Sequence, residues 1–263
     1  MFKKENPLTS IIMNCHNGEK FLYESINSVL NQTYKNWELI FYDNFSNDKS
    51  VAIASSFNDK RIKIYRSNSF LNLYHARNEA IKKINGKYIC FLDTDDFWTK
   101  DKIQQQIEFL ETNKQYSMVY SNFFLFNEKK KHKHIYFNFF LPNGRITKKI
   151  LKKYTIGILT TCIKSEIFKS AKFNEKLNII GDFDFFVKLS TTLNIGSIQA
   201  PLAFYREHES NYSKKNIKIH IEELKEWIEN NELKFKNLGL SFYYQKLLLF
   251  KLKIKYLLIR LGV

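Results

Sequence analysis

The stretch Tyr88-Ile89-Cys90-Phe91-Leu92-Asp93-Thr94-Asp95-Asp96-Phe97-Trp98 decides how this chain is read. Tyr88 to Leu92 has the length and composition of a buried strand, and that strand ends abruptly in carboxylates. Three acids within the four residues Asp93 to Asp96 repel one another, and a strand end tolerates them when a cation sits there. Oxygen donors of this kind suit Mg2+ or Mn2+, which bind through one or two carboxylates together with phosphate oxygens. The competing reading is a solvated turn whose acids cap the next helix, since Asp ahead of Lys100-Asp101-Lys102 is ordinary helix-start chemistry.

Upstream of this stretch, strand and helix patterns alternate. Thr9 to Asn14 is a short apolar run, and Gly18 to Gln32 places Phe21, Leu22, Ile26, Val29 and Leu30 on one helical face. Trp37 to Tyr42 predicts a second strand ending at Asp43, Asn47 to Phe57 a helix and Arg61 to Tyr65 an alternating strand. Asn72 to Ile84 predicts a helix stopped by Asn85-Gly86, and Lys100 to Asn113 an amphipathic one. This order implies an α/β fold, a mostly parallel sheet covered by helices on both faces. Ligands of such sheets bind beyond the carboxyl ends of the strands. Asp43 and Asp93 reach that edge independently. Beyond Tyr116 the pattern changes: aromatic runs at Phe123–Phe126 and Tyr136–Phe140 flank a basic run from Lys129 to His134, which reads as a solvated loop.

The chain has 263 residues, enough for one large domain or one domain with a small appendage. With 44% hydrophobic and 16% aromatic residues it can form a substantial core. Lys and Arg number 42 against 26 Asp and Glu, a net +16 that favours an anionic partner: nucleotide phosphates, anionic lipid or nucleic acid. Cys15, Cys90 and Cys162 lie far apart in apolar stretches, which fits buried reduced thiols in a cytoplasmic protein. The start, Met1 to Pro7, has no apolar core of a signal peptide, and no uncharged apolar stretch is long enough to span a membrane.

Several segments together resemble family 2 glycosyltransferases, over residues 9 to 213 and in that family's order. They are Ser10 to Gly18, Ser25 to Tyr34, Trp37 to Ile40, Asp43 to Asp48, Ala76-Arg77-Asn78, Gly86-Lys87-Tyr88, Phe91 to Asp96, Gly181 to Phe186, and Tyr205 to Asn211. The resemblance implies a GT-A fold at residues 1–213, with a nucleotide-sugar half at about 8–98 and an acceptor half at 99–213, followed by a helical basic extension at 214–263. It implies inverting transfer of a sugar from a UDP- or dTDP-sugar to a saccharide or lipid-linked saccharide, with Mn2+ or Mg2+. By that resemblance Asp182 is the general base, Asp95 a metal ligand and Asp93 an acid at the ribose and metal. Asp43 accepts from the base imide, Arg77 faces the pyrophosphate, and His16 and Asn17 line the nucleoside. Arg206 and His208 belong to a late loop that closes over the diphosphate, His208 reaching the metal. The chain departs from the family pattern at three places: Gly181 precedes Asp182 where many members have an acid, Phe45 stands where Gly is usual, and Asn14 and His16 replace Pro and Tyr. The missing acid leaves the base without one support, and Phe45 implies a different turn, since a Gly there can take positive φ. Asp184 reads as structural.

In the tail, Ile217 to Leu233 predicts an amphipathic helix containing Trp227. Ser241 to Leu261 is apolar with lysines spread around it, not a clean amphipathic helix, which suits either an anionic membrane interface on the inner face or packing on the domain or a dimer partner. Competing functions are nucleotidyl transfer, for which no Gly-rich phosphate loop is present, a sugar-nucleotide-binding homologue without turnover, and a basic nucleic-acid-binding protein, whose polyanion the clustered acids would repel.

Overall fold

A computed structural model describes residues 6–209 and 211–261 of the chain. The reading of Met1 to Glu5 as lacking a signal segment lies outside them. The apolar runs of the first third fold as β1 (Thr9–Cys15), β2 (Trp37–Asp43), β3 (Ile62–Arg66) and β4 (Tyr88–Phe91). Between them stand α1 (Glu19–Leu30), α2 (Ser50–Ser56) and α3 (Leu73–Ile81). β1 pairs in parallel with β2 and β4, and β2 with β3. Every residue of β2 and β4 is buried, as expected for strands covered on both faces. Asp43 closes β2 in register with Cys15, and Asp93 follows β4 at the same edge of the sheet.

The second half corrects the mostly parallel sheet. After β5 (Phe97–Trp98) and α4 (Lys102–Thr112) come β6 (Met118–Asn127), β7 (His132–Ile135), α5 (Thr147–Lys152), β8 (Thr161–Lys164), α6 (Gly181–Ser190) and β9 (Ile195–Glu207). The sheet order is β3-β2-β1-β4-β8-β6-β9-β5, with β7 beside β6. β8 runs antiparallel to β4 and to β6, β9 is parallel to β6, and β5 is antiparallel to β9, so the sheet is mixed. The reason is the connection: parallel neighbours need a crossover of a dozen or more residues, usually a helix. Between β6 and β8 the chain offers a hairpin and the six-residue α5 instead. The basic run is likewise more than a loop. β7 hydrogen-bonds to β6 across a turn in which Lys131 takes a φ of 51°, and its residues stay exposed.

The three cysteines are free and buried. Cys90 and Cys162, distant in sequence, are register partners on β4 and β8.

α7 (Tyr212–Lys215), α8 (Ile217–Asn237) and α9 (Tyr243–Leu261) complete the described chain. α8 is tied to the domain: Trp227, Ile228 and Phe235 join the same buried cluster as the sheet residues. Glu223 accepts the backbone N–H of Asn178, Ile179 and Ile180 at 2.6, 2.9 and 3.1 Å. Trp227 Nε1 donates to Asp184 Oδ1 at 2.7 Å, which gives Asp184 a structural partner. α8 thereby anchors the segment that begins α6. No helix among the described residues is long and apolar enough to cross a membrane.

Candidate active site

Three elements bring charged groups to the carboxyl edge of the sheet. Arg77 projects from α3, Asp93 follows β4, and Asp182 is the second residue of α6. Arg77 NH1 donates to Asp182 Oδ1 at 2.8 Å and NH2 to Asp93 Oδ1 at 3.0 Å. The arginine is 1% exposed, and its guanidinium lies 5.4 to 5.6 Å from the rings of Tyr74, Phe91 and Phe173. A buried guanidinium carries a large desolvation penalty, which the two carboxylates offset.

Burial pushes the Asp182 carboxyl up to about 6; Arg77 opposes that rise and Asp93 adds to it. Burial also raises Asp93, with Arg77 pulling the other way and Asp95 adding to the rise. The Asp182 backbone N–H donates to Tyr74 Oη at 3.2 Å, while the Tyr74 hydroxyl donates to Ile179 O at 3.1 Å. This arrangement accounts for Gly181. A Cβ there would lie 2.4 Å from the Tyr74 ring, so the aromatic side chain occupies the space an acid would need. Asp182 is held by Arg77 and Tyr74 rather than by a preceding carboxylate.

The rest of the acidic run is held by the end of β9 and the loop after it. His208 Nε2 lies 2.9 Å from Asp95 Oδ2. The Arg206 backbone N–H donates to Asp96 Oδ1 at 2.8 Å, and its Nε donates to the Asp95 carbonyl at 2.7 Å. Its two terminal nitrogens pair with Glu128 and Glu24. The Asp96 carboxyl is raised well above its usual range by burial, with Asp95 and Asp93 adding to the effect.

Of the expected metal ligands, the structure brings Asp95 and His208 together, while the Asp93 carboxylate turns to Arg77. No group of three or more His, Cys, Asp or Glu among the described residues is arranged to hold a metal. Asp95 and His208 nonetheless fit a Mg2+ or Mn2+ ion that takes its remaining ligands from a diphosphate and water, because their donor atoms lie side by side and are hard or borderline. Arg206 sits beside the acids, but its guanidinium is engaged by protein groups rather than directed over a diphosphate.

At the end of β2, Asp43 is fully buried, with Arg66 Nε 3.3 Å from its carboxylate. His16 Nδ1 lies 2.9 Å from the Asn44 carbonyl and its ring meets Phe70 edge-on. Asn17 Oδ1 accepts from the Asn47 N–H at 2.9 Å. The expected change of turn at Phe45 is not found. Phe45 itself takes a φ of 62°, and the Ser46 N–H still reaches Asp43 Oδ1 at 3.3 Å. The backbone keeps the positive-φ turn, and a bulky residue bears the strain.

Sequence reasoning missed three groups. Tyr74 precedes Arg77 by three residues, one helical turn, so helical spacing could have found it. The Asn14 amide has both polar atoms buried without a hydrogen-bond partner, as have Arg77 Nε and the Tyr154 hydroxyl. Buried polar atoms of this kind are usually satisfied; of these residues, Tyr154 lines a cavity together with Asp182. Nothing in the local sequence marks Tyr154.

Asp93, Asp96, Asp182, Tyr154 and Glu207 line a cavity of about 890 Å³. Its other walls are largely apolar: Phe123, Leu125 and Phe137 from β6 and the segment after β7, and Leu247 and Leu248 from α9.

A mixed α/β sheet with carboxylates at its switch edge and a large cavity beside them is the architecture of GT-A glycosyltransferases. The sequence profile of glycosyl transferase family 2 matches residues 10–172, and the chain belongs to that family; it is a glycosyltransferase. It is 31% identical over 230 residues to the Escherichia coli UDP-Glc:alpha-D-GlcNAc-diphosphoundecaprenol beta-1,3-glucosyltransferase WfgD, covering 85% of this chain and 87% of that one. A second E. coli enzyme, WfaP, of the same described activity, is 41% identical over 118 residues, 45% of this chain and 47% of that one. Among solved structures, S. aureus TarS 1-349 in complex with UDP-GlcNAc superposes with a TM-score of 0.66 at 16% identity, over 84% of this chain and 66% of the TarS chain. The mannosyltransferase PcManGT from Pyrobaculum calidifontis, in complex with GDP-Man and Mn2+, superposes with a TM-score of 0.63 at 13% identity, over 86% of this chain and 65% of its own. Membership of the family displaces nucleotidyl transfer and nucleic-acid binding as the function.

Proposed function

We propose that the protein moves a sugar from a nucleotide-sugar, a UDP-sugar in the first instance, to a hydroxyl of a lipid-linked saccharide with inversion at the anomeric carbon. The observation that carries this reading is Asp182, a carboxylate at the cavity wall whose pKa of about 6 leaves it ionised, yet basic for a carboxylate, near neutral pH. In this reading Asp182 takes the proton of the acceptor hydroxyl as that oxygen bonds to the anomeric carbon. The bond from that carbon to the donor diphosphate breaks, and the electron pair leaves with the diphosphate. One base on the far side of the sugar from the leaving group gives a single displacement and inversion.

Arg77 keeps the Asp182 carboxylate aimed at the cavity. Asp43 accepts the imide N–H of a uracil once Arg66, 62% exposed at its side chain, swings off it. His16 and Asn17 border the nucleoside and Asp93 the ribose. Asp95 and His208 would hold Mn2+ or Mg2+, and the ion neutralises charge on the departing diphosphate when bound.

The lipid-linked acceptor is supported by the acceptor that WfgD's name states and by a cavity whose far wall is apolar with Lys152 and Lys251 set in it. Such an acceptor places the reaction at a membrane surface, with the protein peripheral to it.

The test is a thermal-shift screen of UDP-, dTDP- and GDP-sugars with and without Mn2+, followed by a transfer assay. A UDP-sugar with Mn2+ should raise the midpoint, and Asp95→Ala should remove the metal-dependent part. Silence with every nucleotide-sugar and no transfer would refute the proposal.

A further inference from the structure

α9 carries an apolar face that stays exposed among the described residues. It packs on the domain through a single stripe: Gln245, Leu249, Leu252 and Tyr256, the positions in it that are buried or half-buried. Gln245 Nε2 donates to Leu151 O at 2.6 Å, and Leu249 and Leu252 touch the core. Nine of the twenty exposed large apolar side chains among the described residues sit on this one helix, so they form a patch rather than scattered singles.

The lysines explain themselves once that contact stripe is known. At about 100° per residue, Phe250, Ile254, Leu257 and Leu258 fall on the side opposite it. These four are 60, 44, 57 and 42% exposed. Lys253 and Arg260 border this outer face on one side, together with Lys246, which pairs with Glu232 of α8, and Lys251 and Lys255 border it on the other. The cations that spoil a simple amphipathic pattern in the sequence therefore flank a second, outward apolar face. Long lysine stems beside an apolar stripe let the stripe sink while the ammonium groups stay at headgroup level.

We infer that α9 docks the protein on an anionic lipid surface, with Phe250, Ile254 and Leu257 entering the headgroup boundary and the flanking cations contacting lipid phosphates. Charge selects this occupant. Residues 243–263 hold five cations and no Asp or Glu, which complements an anionic bilayer. A second copy of the same helix would bring like charges together. The docking rests on the helix alone. One consequence rests on the proposed function: Tyr244, Leu247, Leu248 and Lys251 of α9 also line the cavity at Asp182. Docking would bring that cavity to the lipid, so an acceptor's saccharide enters while its lipid stays in the bilayer.

The experiment is sedimentation of the full chain, without donor, on vesicles of phosphatidylcholine alone and of phosphatidylcholine with phosphatidylglycerol. The expected result is binding to the anionic vesicles only, weakening as salt rises. Lys253→Glu with Lys255→Glu should lower partitioning by about tenfold or more, and Phe250→Asp with Leu257→Asp should abolish it. Both variants are to keep the wild-type thermal midpoint, which shows that they fold, and the wild-type rate of transfer to a soluble short-chain acceptor. No binding to anionic vesicles overturns the inference, as does binding that neither variant reduces. A concentration-dependent dimer in light scattering that Phe250→Asp with Leu257→Asp disperses also overturns it, since the face would then belong to a second copy. Vesicle binding without sugar transfer would leave docking intact and count against the catalytic proposal alone.

Discussion

Asp182→Asn removes the proposed proton acceptor and one negative charge while keeping the side chain's shape, and it should make the protein more stable as it makes it inactive. The magnitude follows from the site. Burial raises the Asp182 carboxyl from 3.8 to about 6 despite Arg77. That is roughly two units, and each unit corresponds to about 1.4 kcal/mol between the two protonation states. Ionised Asp182 therefore destabilises the fold by about 3 kcal/mol. The folded state holds this proton more tightly than the unfolded state. Between about pH 4 and pH 6 the folded chain then binds more protons, and the contribution of Asp182 to stability falls as pH rises. Above pH 6 the full cost is present. Asparagine does not titrate, so the variant should exceed wild type by up to about 3 kcal/mol at pH 8 and converge with it toward pH 4. Asp93 shares Arg77 with Asp182 and is coupled to it, so its own slope shifts with the substitution and the difference curve reports the pair.

Denaturant unfolding at pH 4, 6 and 8 measures the stability half, and initial rates of sugar transfer measure the other. The rate should fall by about 10² to 10⁴, the usual contribution of a positioned general base. A variant less stable than wild type at pH 8 would refute the claim that burial of this carboxylate is costly. A variant that keeps more than about a tenth of the rate would remove Asp182 from the base role.

Arg77→Met leaves two partly buried carboxylates without their cation; discounted for their exposure, it should cost about 2–3 kcal/mol at pH 8 by denaturant unfolding and move the acidic limb of kcat/KM above pH 6. Phe45→Gly relieves a positive-φ turn at an exposed site and should raise stability by about 0.5–1 kcal/mol in the same assay. Gly181→Glu, which restores the family's usual acid, should instead destabilise by about 1–3 kcal/mol through overlap with the Tyr74 ring, and adding Tyr74→Ala should recover part of its thermal midpoint. Asp95→Ala should abolish the Mn2+-dependent part of nucleotide binding in calorimetry while leaving the fold intact, because its carboxylate is a third exposed.

The part of the chain through β4 was legible because its signals are local. Apolar runs of strand length alternate with helical periods, and two of them run into Asp43 and Asp93, so β1 to β4 and the acids after β2 and β4 follow from neighbouring residues alone. The second half was not, because β8, β6, β9 and β5 are ordered by long-range pairing that no window of sequence contains. The exchange at Gly181 shows the same limit within the site. The chain states only that an acid is absent; that Tyr74, a hundred residues earlier, fills the space and accepts the Asp182 backbone N–H at its hydroxyl oxygen is a fact of packing. α9 shows it once more, since the direction of its contact stripe, not its composition, separates the face on the domain from the face left open.

Two arginines border the same acidic run, and their surroundings divide the work between them. Arg206 has its backbone N–H on Asp96, its Nε on the Asp95 carbonyl and its terminal nitrogens on Glu24 and Glu128, with the rings of Phe21, Phe97 and Phe126 4.6 to 5.3 Å from its guanidinium. Together these bonds tie β9, α1 and the residue after β6 to the loop after β4. That is how a run of repelling acids is held in one conformation. Arg77 differs: its Nε has no partner, and both of its carboxylates keep an open side, 37% for Asp93 and 25% for Asp182. A guanidinium bound to two partly open acids has partners that a donor phosphate or a moving proton can perturb, whereas the partners of Arg206 are groups of the fold. On the proposed reading, Arg206 shapes the site and Arg77 takes part in it.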